Sequence, residues 1–250
     1  MDGEVKVIDG KGLNMDEIAG GGGDVGWNEA WGPEIVTREI VSRMTTDDVV
    51  LDLCAGNGRA SHPLAMRGAK VIAVDIRKEN LEEGQEIREK AGMSKAEEMI
   101  ENIKNLNESN LKEKPSIILL SDALIHFTKK EANEFLQSVP ALFNPNKRGL
   151  LYVNVPSSNS SILEYPEAYG ATKVDEKTVM IMCDCSGEIL EEPISFFDEG
   201  EVQGILAFSG ANILGTNNLT RNAGSLLYEV VAEFKAKNNP TTKNDNSSQS

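Results

Sequence analysis

The stretch VVLDLCAGNGRA, residues 49–60, joins an apolar run to two glycines two positions apart and carries one acid, Asp52. Gly56 and Gly58 lack side chains, so the backbone there can adopt positive φ and approach a ligand closely. A helix that begins after these glycines presents free N–H groups to an anion. The junction is therefore compatible with a dinucleotide site, with a site for another nucleotide-bearing cofactor, or with a tight turn alone.

A second acid, Asp75, ends the apolar run KVIAVD, seventeen positions after Gly58. A carboxylate at this place can accept hydrogen bonds from both hydroxyls of a ribose. The dinucleotide pattern G-x-G-x-x-G has Ser61 in place of its third glycine here, and the phosphate-binding pattern G-x-x-x-x-G-K-[ST] is absent. The charge of Asp52 suits a cationic ligand with an amino group better than it suits a pyrophosphate.

The chain has two histidines, His62 and His126. His126 follows the apolar run 116–121, where it could take a proton from an acceptor as a general base. Capping or packing at the start of the next helix is the alternative for this residue. His62 falls in the first helix after the glycines, where a structural role or a pocket wall is expected. Arg59 is either a ligand for a carboxylate or a solvated side chain.

Strand and helix patterns alternate along the chain, and the strands read as continuous apolar runs. This alternation predicts an α/β fold, with a parallel sheet covered by helices on both faces. Ligands of such sheets bind beyond the carboxyl ends of the strands, so the three candidate segments should meet at one rim. The predicted strands are 49–54, 70–75, 116–121, 150–155 and 226–234, and the predicted helices begin near Ser61, Glu79, Thr128 and Asp198, the last two with capping-box spacing.

Composition excludes several classes of protein. The net charge of −15 argues against a general nucleic-acid binder, which needs clustered Lys and Arg. Three cysteines, an odd and low count, suit a reducing compartment, and Cys183-x-Cys185 lacks the second ligand pair of a zinc site, so no metal is expected. Without an 18-residue apolar run or a secretory leader pattern, the sequence predicts a soluble cytoplasmic protein that does not bind membranes.

Taken together, these motifs resemble those of the class I S-adenosylmethionine-dependent methyltransferases of the small-molecule type. Residues 51–76, LDLCAGNGRASHPLAMRGAKVIAVDI, are similar to motifs I and II of that family, except that Cys54 stands at the first glycine. The later stretches PSIILLSDALIHF, LFNPNKRGLLYVNV, SFFDEGEVQGILAFSGANIL and LLYEVVAEFK are similar to its remaining strands and late helix, in order. The resemblance covers roughly residues 45–235 and implies a Rossmann-like, seven-stranded, mostly parallel sheet with an antiparallel last strand.

The resemblance also implies S-adenosylmethionine as cofactor, with site residues that follow position by position. Asp52 would lie near the amino group of the methionine part, and Asp75 would bind the ribose. His126 is the candidate catalytic residue. The other implied cofactor contacts are Cys54, Ala55, Gly56 and Gly58 at the methionine part, Ser121 and Asp122 below it, Ile76, Arg77, Asn102 and Ile103 at the adenine, and Trp27 and Trp31 in the N-terminal segment.

Three parts of the chain are expected. Residues 1–45 would cover the cofactor, with Trp27 and Trp31 either facing the sulfonium by cation–π attraction or packing on the core. Residues 46–235 would form the methyltransferase domain, with an insertion at about 157–192 that is too long for a plain connection. This insertion, read as a hairpin, would build the acceptor pocket or a dimer surface. Residues 236–250 would be a disordered tail.

A small molecule is the expected acceptor, with protein or RNA as the alternative, because the chain is acidic and lacks the Asn-Pro-Pro-Tyr or Asp-Pro-Pro-Tyr stretch of enzymes that methylate nucleic-acid amino groups. A homodimer is left open. One alternative is a catalytically silent protein that binds S-adenosylmethionine as a regulator or partner. The other is an NAD-dependent oxidoreductase, which would want a third glycine where this chain has Ser61.

Overall fold

A computed structural model describes residues 35–184, 189–220 and 226–237 of the 250-residue chain. These residues form ten strands and six helices, besides short 3₁₀ turns. The strands are β1 (Val49–Leu53), β2 (Lys70–Asp75), β3 (Glu97–Ile100), β4 (Ile117–Leu120), β5 (Gly149–Pro156), β6 (Ala171–Asp175), β7 (Thr178–Asp184), β8 (Ile189–Ser195), β9 (Asn212–Thr220) and β10 (Leu226–Phe234). The helices are α1 (Val36–Val41, wound as a π-helix), α2 (His62–Ala65), α3 (Lys78–Lys90), α4 (Lys129–Leu142), α5 (Ser161–Glu164) and α6 (Glu199–Phe208).

Seven strands form the main sheet, in the order β3-β2-β1-β4-β5-β10-β9. The first five are parallel, and β10 runs antiparallel between β5 and β9. This confirms the predicted fold class, a mostly parallel Rossmann-like sheet with an antiparallel last strand. The parallel strands place the loops after β1, β2 and β4 at the same rim of the sheet.

Hydrophobic cores lie on both faces of the main sheet. Successive residues of a strand point to opposite faces, so Leu51 and Leu53 enter one core while Val50 enters the other. Helices α4 and α6 cover the first face, and α1 and α2 cover the second, together with Leu81 of α3. Asp52 lies two residues after Val50 on β1, so its side chain points to the same face, which α2 and α3 cover.

Helix α4 begins with the capping box that the sequence predicts. The Thr128 hydroxyl accepts a hydrogen bond from the Glu131 N–H, and the Glu131 carboxylate accepts one from the Thr128 N–H at 2.7 Å. The sequence predicts an apolar face for this helix from five residues at helical spacing, and all five are buried, namely Ala132, Phe135, Leu136, Val139 and Leu142.

The sequence predicts an apolar face of α6 that is wider than the buried one, made by Val202, Ile205, Leu206 and Phe208. Its capping box at Asp198 and Glu201 is confirmed, and Val202 and Leu206 are buried. Phe208, however, is 86% exposed, because it is the last residue of the helix and lies beyond the core.

The insertion folds as a separate antiparallel sheet in the order β6-β7-β8. Strands β7 and β8 form the predicted hairpin, whereas the third strand, β6, was not predicted. The sequence also predicts that the hairpin turns at Ser186-Gly187, and these two residues lie outside the described residues. The small sheet has a core of its own, made by Leu163, Ala171, Val179 and Phe196.

Two predicted segments lie largely outside the described residues. These are residues 1–34, with Trp27 and Trp31, and residues 238–250 of the predicted tail. A cofactor-covering segment and a disordered tail therefore remain predictions. In the described part of the chain, no helix combines the length and apolarity that crossing a membrane requires.

Candidate active site

The loop after β1 has a backbone that few side chains tolerate. Positive φ occurs at Cys54 (57°), Gly56 (54°) and Gly58 (86°). Cys54 therefore adopts a left-handed conformation that glycine adopts more easily. The loop is fixed by hydrogen bonds from the Ala55 N–H to the Val74 carbonyl at 2.9 Å and from the Gly58 N–H to the Ala55 carbonyl at 2.8 Å.

Asp75 closes the loop from the end of β2. Its carboxylate accepts hydrogen bonds from the Gly56 N–H at 2.8 Å, the Arg77 N–H at 2.9 Å and the Asn80 side-chain amide at 3.3 Å. An ionised carboxylate offers about four acceptor sites, so at least one remains for a ribose hydroxyl. The residue therefore fits the role that the sequence suggested while it also holds the loop.

Asp52 is buried beneath the loop, with 1% of its surface exposed. Neither of its carboxylate oxygens has a hydrogen bond of good geometry to a described residue. Burial raises the pKa of Asp52 to about 7, opposed by the Ser61 hydroxyl and the Arg88 guanidinium and reinforced by the charge of Asp75. These two buried acceptors lack donors, which an amino group or a water molecule would supply.

Three carboxylates converge on Cys54. Burial is the largest cause that raises the pKa of the Cys54 thiol to about 12, and the charges of Asp75, Asp52 and Asp122 add to it. The thiol is therefore protonated at neutral pH and is no nucleophile. The same three charges make the loop a favourable place for a positively charged ligand.

Asp122, after β4, is held in place by Asn154 of β5, a residue that was not predicted to belong to the site. Its backbone has positive φ (55°), and its N–H donates to the Asn154 side-chain oxygen at 2.6 Å. The Asn154 amide donates in return to the Asp122 carboxylate at 3.3 Å. Asn154 is 1% exposed, and its signal in the sequence was a single amide inside the apolar run LLYVNV. Ser121, before Asp122, is half-buried.

The comparison with protein families decides the identity of the domain. Residues 45–210, more than half of the chain, match a family model described as a methyltransferase domain. The chain belongs to this methyltransferase family. The predicted resemblance is therefore confirmed, and with it an enzyme that depends on S-adenosylmethionine. No curated relative matches the chain in sequence.

Solved structures share the fold of this methyltransferase. An S-adenosylmethionine-dependent methyltransferase from Methanosarcina mazei is 21% identical with a TM-score of 0.61, over 78% of this chain and 96% of that one. Magnesium protoporphyrin IX methyltransferase from Synechocystis PCC 6803, solved with bound SAH, is 19% identical with a TM-score of 0.60, over 81% and 80%. The Burkholderia thailandensis 1,6-didemethyltoxoflavin-N1-methyltransferase is 16% identical with a TM-score of 0.52, over 80% and 82%.

The methyltransferase exposes two large apolar side chains at its rim beside Asp75. Ile76 is 58% exposed and Ile100 is 57% exposed, and Ile100 pairs with Asp75 across β2 and β3. Together they offer an apolar surface for a flat base. Ile100 was not predicted as a site residue, because the composition of EEMI, residues 97–100, does not favour a strand.

The predicted adenine contacts differ in their placement. Asn102 is exposed, and its side-chain oxygen accepts a hydrogen bond from the Lys104 N–H at 3.0 Å. Ile103 is 4% exposed and packs in the core, so only its backbone can face a ligand. Arg77 is half-buried, and its backbone is tied to Asp75.

The two histidines of the methyltransferase have different surroundings. His126 is half-buried and ends a 3₁₀ turn, Leu124–His126, that lies beside β8 of the small sheet. His62 is 3% exposed, and burial together with the Arg88 charge lowers its pKa to about 3, against a hydrogen bond to the Asn57 backbone. His62 is thus neutral and structural at physiological pH. Arg59 is exposed.

Ion pairs hold the small sheet beside this rim of the methyltransferase. Lys177, in the turn between β6 and β7, pairs with Asp198 at the start of α6. Lys129 of α4 pairs with Glu201 at 2.7 Å, and its ammonium lies 5.4 Å from the centre of the Phe197 ring. The small sheet, α4 and α6 are therefore linked close to the His126 turn.

A cleft of about 210 Å³ lies at the opposite rim of the main sheet. Its walls include Phe143, Gly149 and Phe234, which lie where β5 begins and β10 ends. Ligands of parallel α/β sheets bind at the carboxyl ends of the strands, which is the rim of the glycine loop. The cleft contains none of the predicted site residues and is not assigned to the reaction.

Proposed function

We propose that this methyltransferase transfers the methyl group of S-adenosylmethionine to a small-molecule acceptor bound between the glycine loop, the His126 turn and the small sheet. The observation that carries the proposal is the convergence of Asp52, Asp75 and Asp122 around the left-handed loop at Cys54. A cationic cofactor with an amino group and a ribose matches those charges and acceptors.

The residues at the loop divide the work of binding. When bound, S-adenosylmethionine supplies a methyl group that is already activated on a sulfonium. The loop backbone from Cys54 to Gly58 approaches the methionine part, and Asp75 accepts hydrogen bonds from the ribose. Ile76 and Ile100 flank the base through their exposed side chains. Asp52 provides acceptors for the amino group, directly or through water.

Catalysis in this proposal consists mainly of alignment and the exclusion of water. An in-line displacement gains most from holding the acceptor atom against the methyl group in one orientation. The small sheet closes the side of the site beside the His126 turn. His126 takes the proton at a ring nitrogen when the acceptor atom must lose one, as a hydroxyl does.

A small-molecule acceptor is supported by three observations. The chain carries a net charge of −15, which opposes the approach of a phosphate backbone. The small sheet and its connections add a wall beside the rim that suits an enclosed ligand. The similar structures include enzymes named for protoporphyrin IX and didemethyltoxoflavin, which are small molecules.

The proposed cellular setting follows from composition. Three cysteines, an odd and low number, favour the reducing cytoplasm. A homodimer, with the small sheet as one contact surface, is proposed as the arrangement to test by light scattering at several protein concentrations.

Acceptor class can be tested by measuring S-adenosylhomocysteine release. The purified chain is incubated with S-adenosylmethionine and either a small-molecule extract, RNA, DNA or a protein extract, with Asp75→Ala as the inactive control. The proposal expects release that depends on the small-molecule fraction. Release with a macromolecule only would overturn the acceptor class. Cofactor binding without release in any fraction would favour the silent binding protein.

A further inference from the structure

Helix α3 supports the glycine loop from behind through Gly84 and Arg88, which lie one turn apart on the same face. A Cβ added at Gly84 would come within 2.8 Å of the Asn57 carbonyl oxygen, so the helix and the loop backbone are in close contact. A Cβ at Gly58 would come within 2.8 Å of the Arg88 guanidinium. The guanidinium therefore fills the space beneath Gly58.

Arg88 is also bonded to the turn that follows the loop. Its Nη2 donates to the Ser61 hydroxyl at 2.8 Å, and that hydroxyl donates to the Gly58 carbonyl at 3.1 Å. The chain of bonds fixes the distance from α3 to Gly58. Arg88 itself is 1% exposed, which is exceptional for an arginine.

Several buried polar atoms at and around Arg88 have no hydrogen-bond partner among the described residues. Its Nε has no hydrogen-bond partner among the described residues, and neither have the carboxylate oxygens of Asp52 or the Nε2 of His62. The Arg88 charge nevertheless acts on Asp52, whose pKa it lowers. Replacing such buried charges with apolar side chains is often neutral or stabilising, so stability alone gives a weak reason for an arginine here.

We propose that Arg88 is a positioning residue of the cofactor site, which holds the Gly58–Ser61 turn and places its positive charge beneath the loop, on the side of the Asp52 carboxylate that is proposed to meet the amino group of the cofactor. This inference rests on the proposed placement of the cofactor at the loop. No pattern in the sequence indicates this role, because an arginine in a helix rich in Glu and Lys normally lies in solvent.

The pH dependence of cofactor affinity distinguishes this role of Arg88 from simple packing. The charged and titratable groups that interact with Asp52 or Arg88, besides the pair itself, are Cys54 of the glycine loop, Asp75 of β2, Glu98 of β3 and His62 of α2. His62 is neutral, so Arg88 is the cation that opposes protonation of Asp52. Without Arg88 the pKa of Asp52 rises above about 7, so a larger fraction of Asp52 is protonated at neutral pH than in the wild type.

The test is calorimetric titration of S-adenosylhomocysteine into wild-type protein, Arg88→Met and Arg88→Lys from about pH 6 to about pH 9. We expect Arg88→Met to bind about ten-fold more weakly at neutral pH and to recover affinity as the pH rises. Arg88→Lys, which keeps the charge, should retain the wild-type pH midpoint with a smaller loss. Arg67→Met, at an exposed position after α2, is the matched control and should bind as the wild type does.

Two outcomes would overturn the inference. Wild-type affinity and pH midpoint in a folded Arg88→Met show that Arg88 does not position the site. If Arg88→Met does not fold, a pH midpoint in Arg88→Lys that differs from the wild type overturns the charge role. Failure of the cofactor placement is distinguishable, because wild-type protein would then bind no S-adenosylhomocysteine at any pH.

Discussion

The carboxylate of Asp75 accepts a hydrogen bond from the Gly56 backbone N–H at 2.8 Å, across 19 residues of sequence. This bond joins the end of β2 to the loop that follows β1. The acid expected to bind the ribose therefore also fixes the backbone that approaches the methionine part. Binding and loop geometry are coupled at one residue, so changes at this site should affect both.

Replacing Asp52 with Asn should stabilise the cofactor-free protein at alkaline pH and much less at acidic pH. Burial raises the pKa of Asp52 from its ordinary 3.8 to about 7. A group whose pKa rises on folding stabilises the protein below its unfolded pKa, and this contribution is lost as the pH rises through the folded pKa. Asp52→Asn has no carboxyl group to ionise and so does not lose this stability. Above pH ~8 its free energy of unfolding should exceed that of the wild type by about 1–4 kcal/mol.

Urea unfolding at about pH 4 and about pH 8 measures this difference in the free energy of unfolding. Glu86→Gln, at an exposed position of α3, serves as the control and should show little dependence on pH. An Asp52→Asn effect of equal size at both pH values would mean that Asp52 is not a buried group that titrates on this scale.

Gly58→Ala should lower both stability and cofactor affinity. The backbone at Gly58 has φ of 86°, and a Cβ there would come within 2.8 Å of the Arg88 guanidinium and 3.0 Å of His62 Nε2. Strain and crowding together should cost about 1–3 kcal/mol. Gly92→Ala is the matched control, because Gly92 also has positive φ (69°) but no atom near its Cβ position. Thermal unfolding should rank Gly58→Ala below Gly92→Ala, and equal melting temperatures would show that the space beneath Gly58 is not filled as described.

Thr128→Ala should destabilise the protein without changing its affinity for the cofactor. The hydroxyl of Thr128 caps α4 by accepting the Glu131 N–H. Loss of such a cap costs about 1 kcal/mol, while Lys130→Ala, 84% exposed in the same helix, should change little. Chemical unfolding gives the stability, and titration with S-adenosylhomocysteine gives the affinity. A ten-fold loss of affinity in Thr128→Ala would mean that the α4 start belongs to the cofactor site.

His126→Gln should slow methyl transfer without weakening cofactor binding. General-base catalysis contributes about 10²–10⁴-fold when the acceptor must lose a proton, so a loss of turnover in that range is expected with a hydroxyl acceptor. S-adenosylhomocysteine affinity should stay at the wild-type value. His62→Gln is an unsuitable control, since His62 is buried beneath the loop, and Lys130→Ala is used instead. Unchanged turnover in His126→Gln would remove His126 from the chemistry.

Much of the fold could be predicted because its main strands are buried on both faces. Such strands are continuous apolar runs, as in β1, β2 and β4, and are easily seen in a sequence. The edge strand β3 escaped prediction because its side chains alternate between half-buried and exposed. Strand β6 was missed for a similar reason, since only Ala171 of its five residues is buried.

The site could be predicted as far as glycines and acids at strand ends reveal it. Asp52, Asp75 and the glycines stand out by type and spacing. Asn154 and Arg88 do not stand out in the sequence, because only the tertiary fold brings them into contact with Asp122 and Ser61. Ile103 shows the converse limit, since its position beside Asn102 suggested a contact that its buried side chain cannot make.

The most direct test of the cofactor site is calorimetric titration of the full chain with S-adenosylmethionine, S-adenosylhomocysteine and NAD, repeated on Asp75→Ala. We expect S-adenosylmethionine and S-adenosylhomocysteine to bind with micromolar affinity and NAD not to bind. Asp75→Ala should lose at least about ten-fold in affinity, about 1.4 kcal/mol. No binding of either sulfur nucleoside by the folded wild type, or tight binding of NAD, would contradict the account.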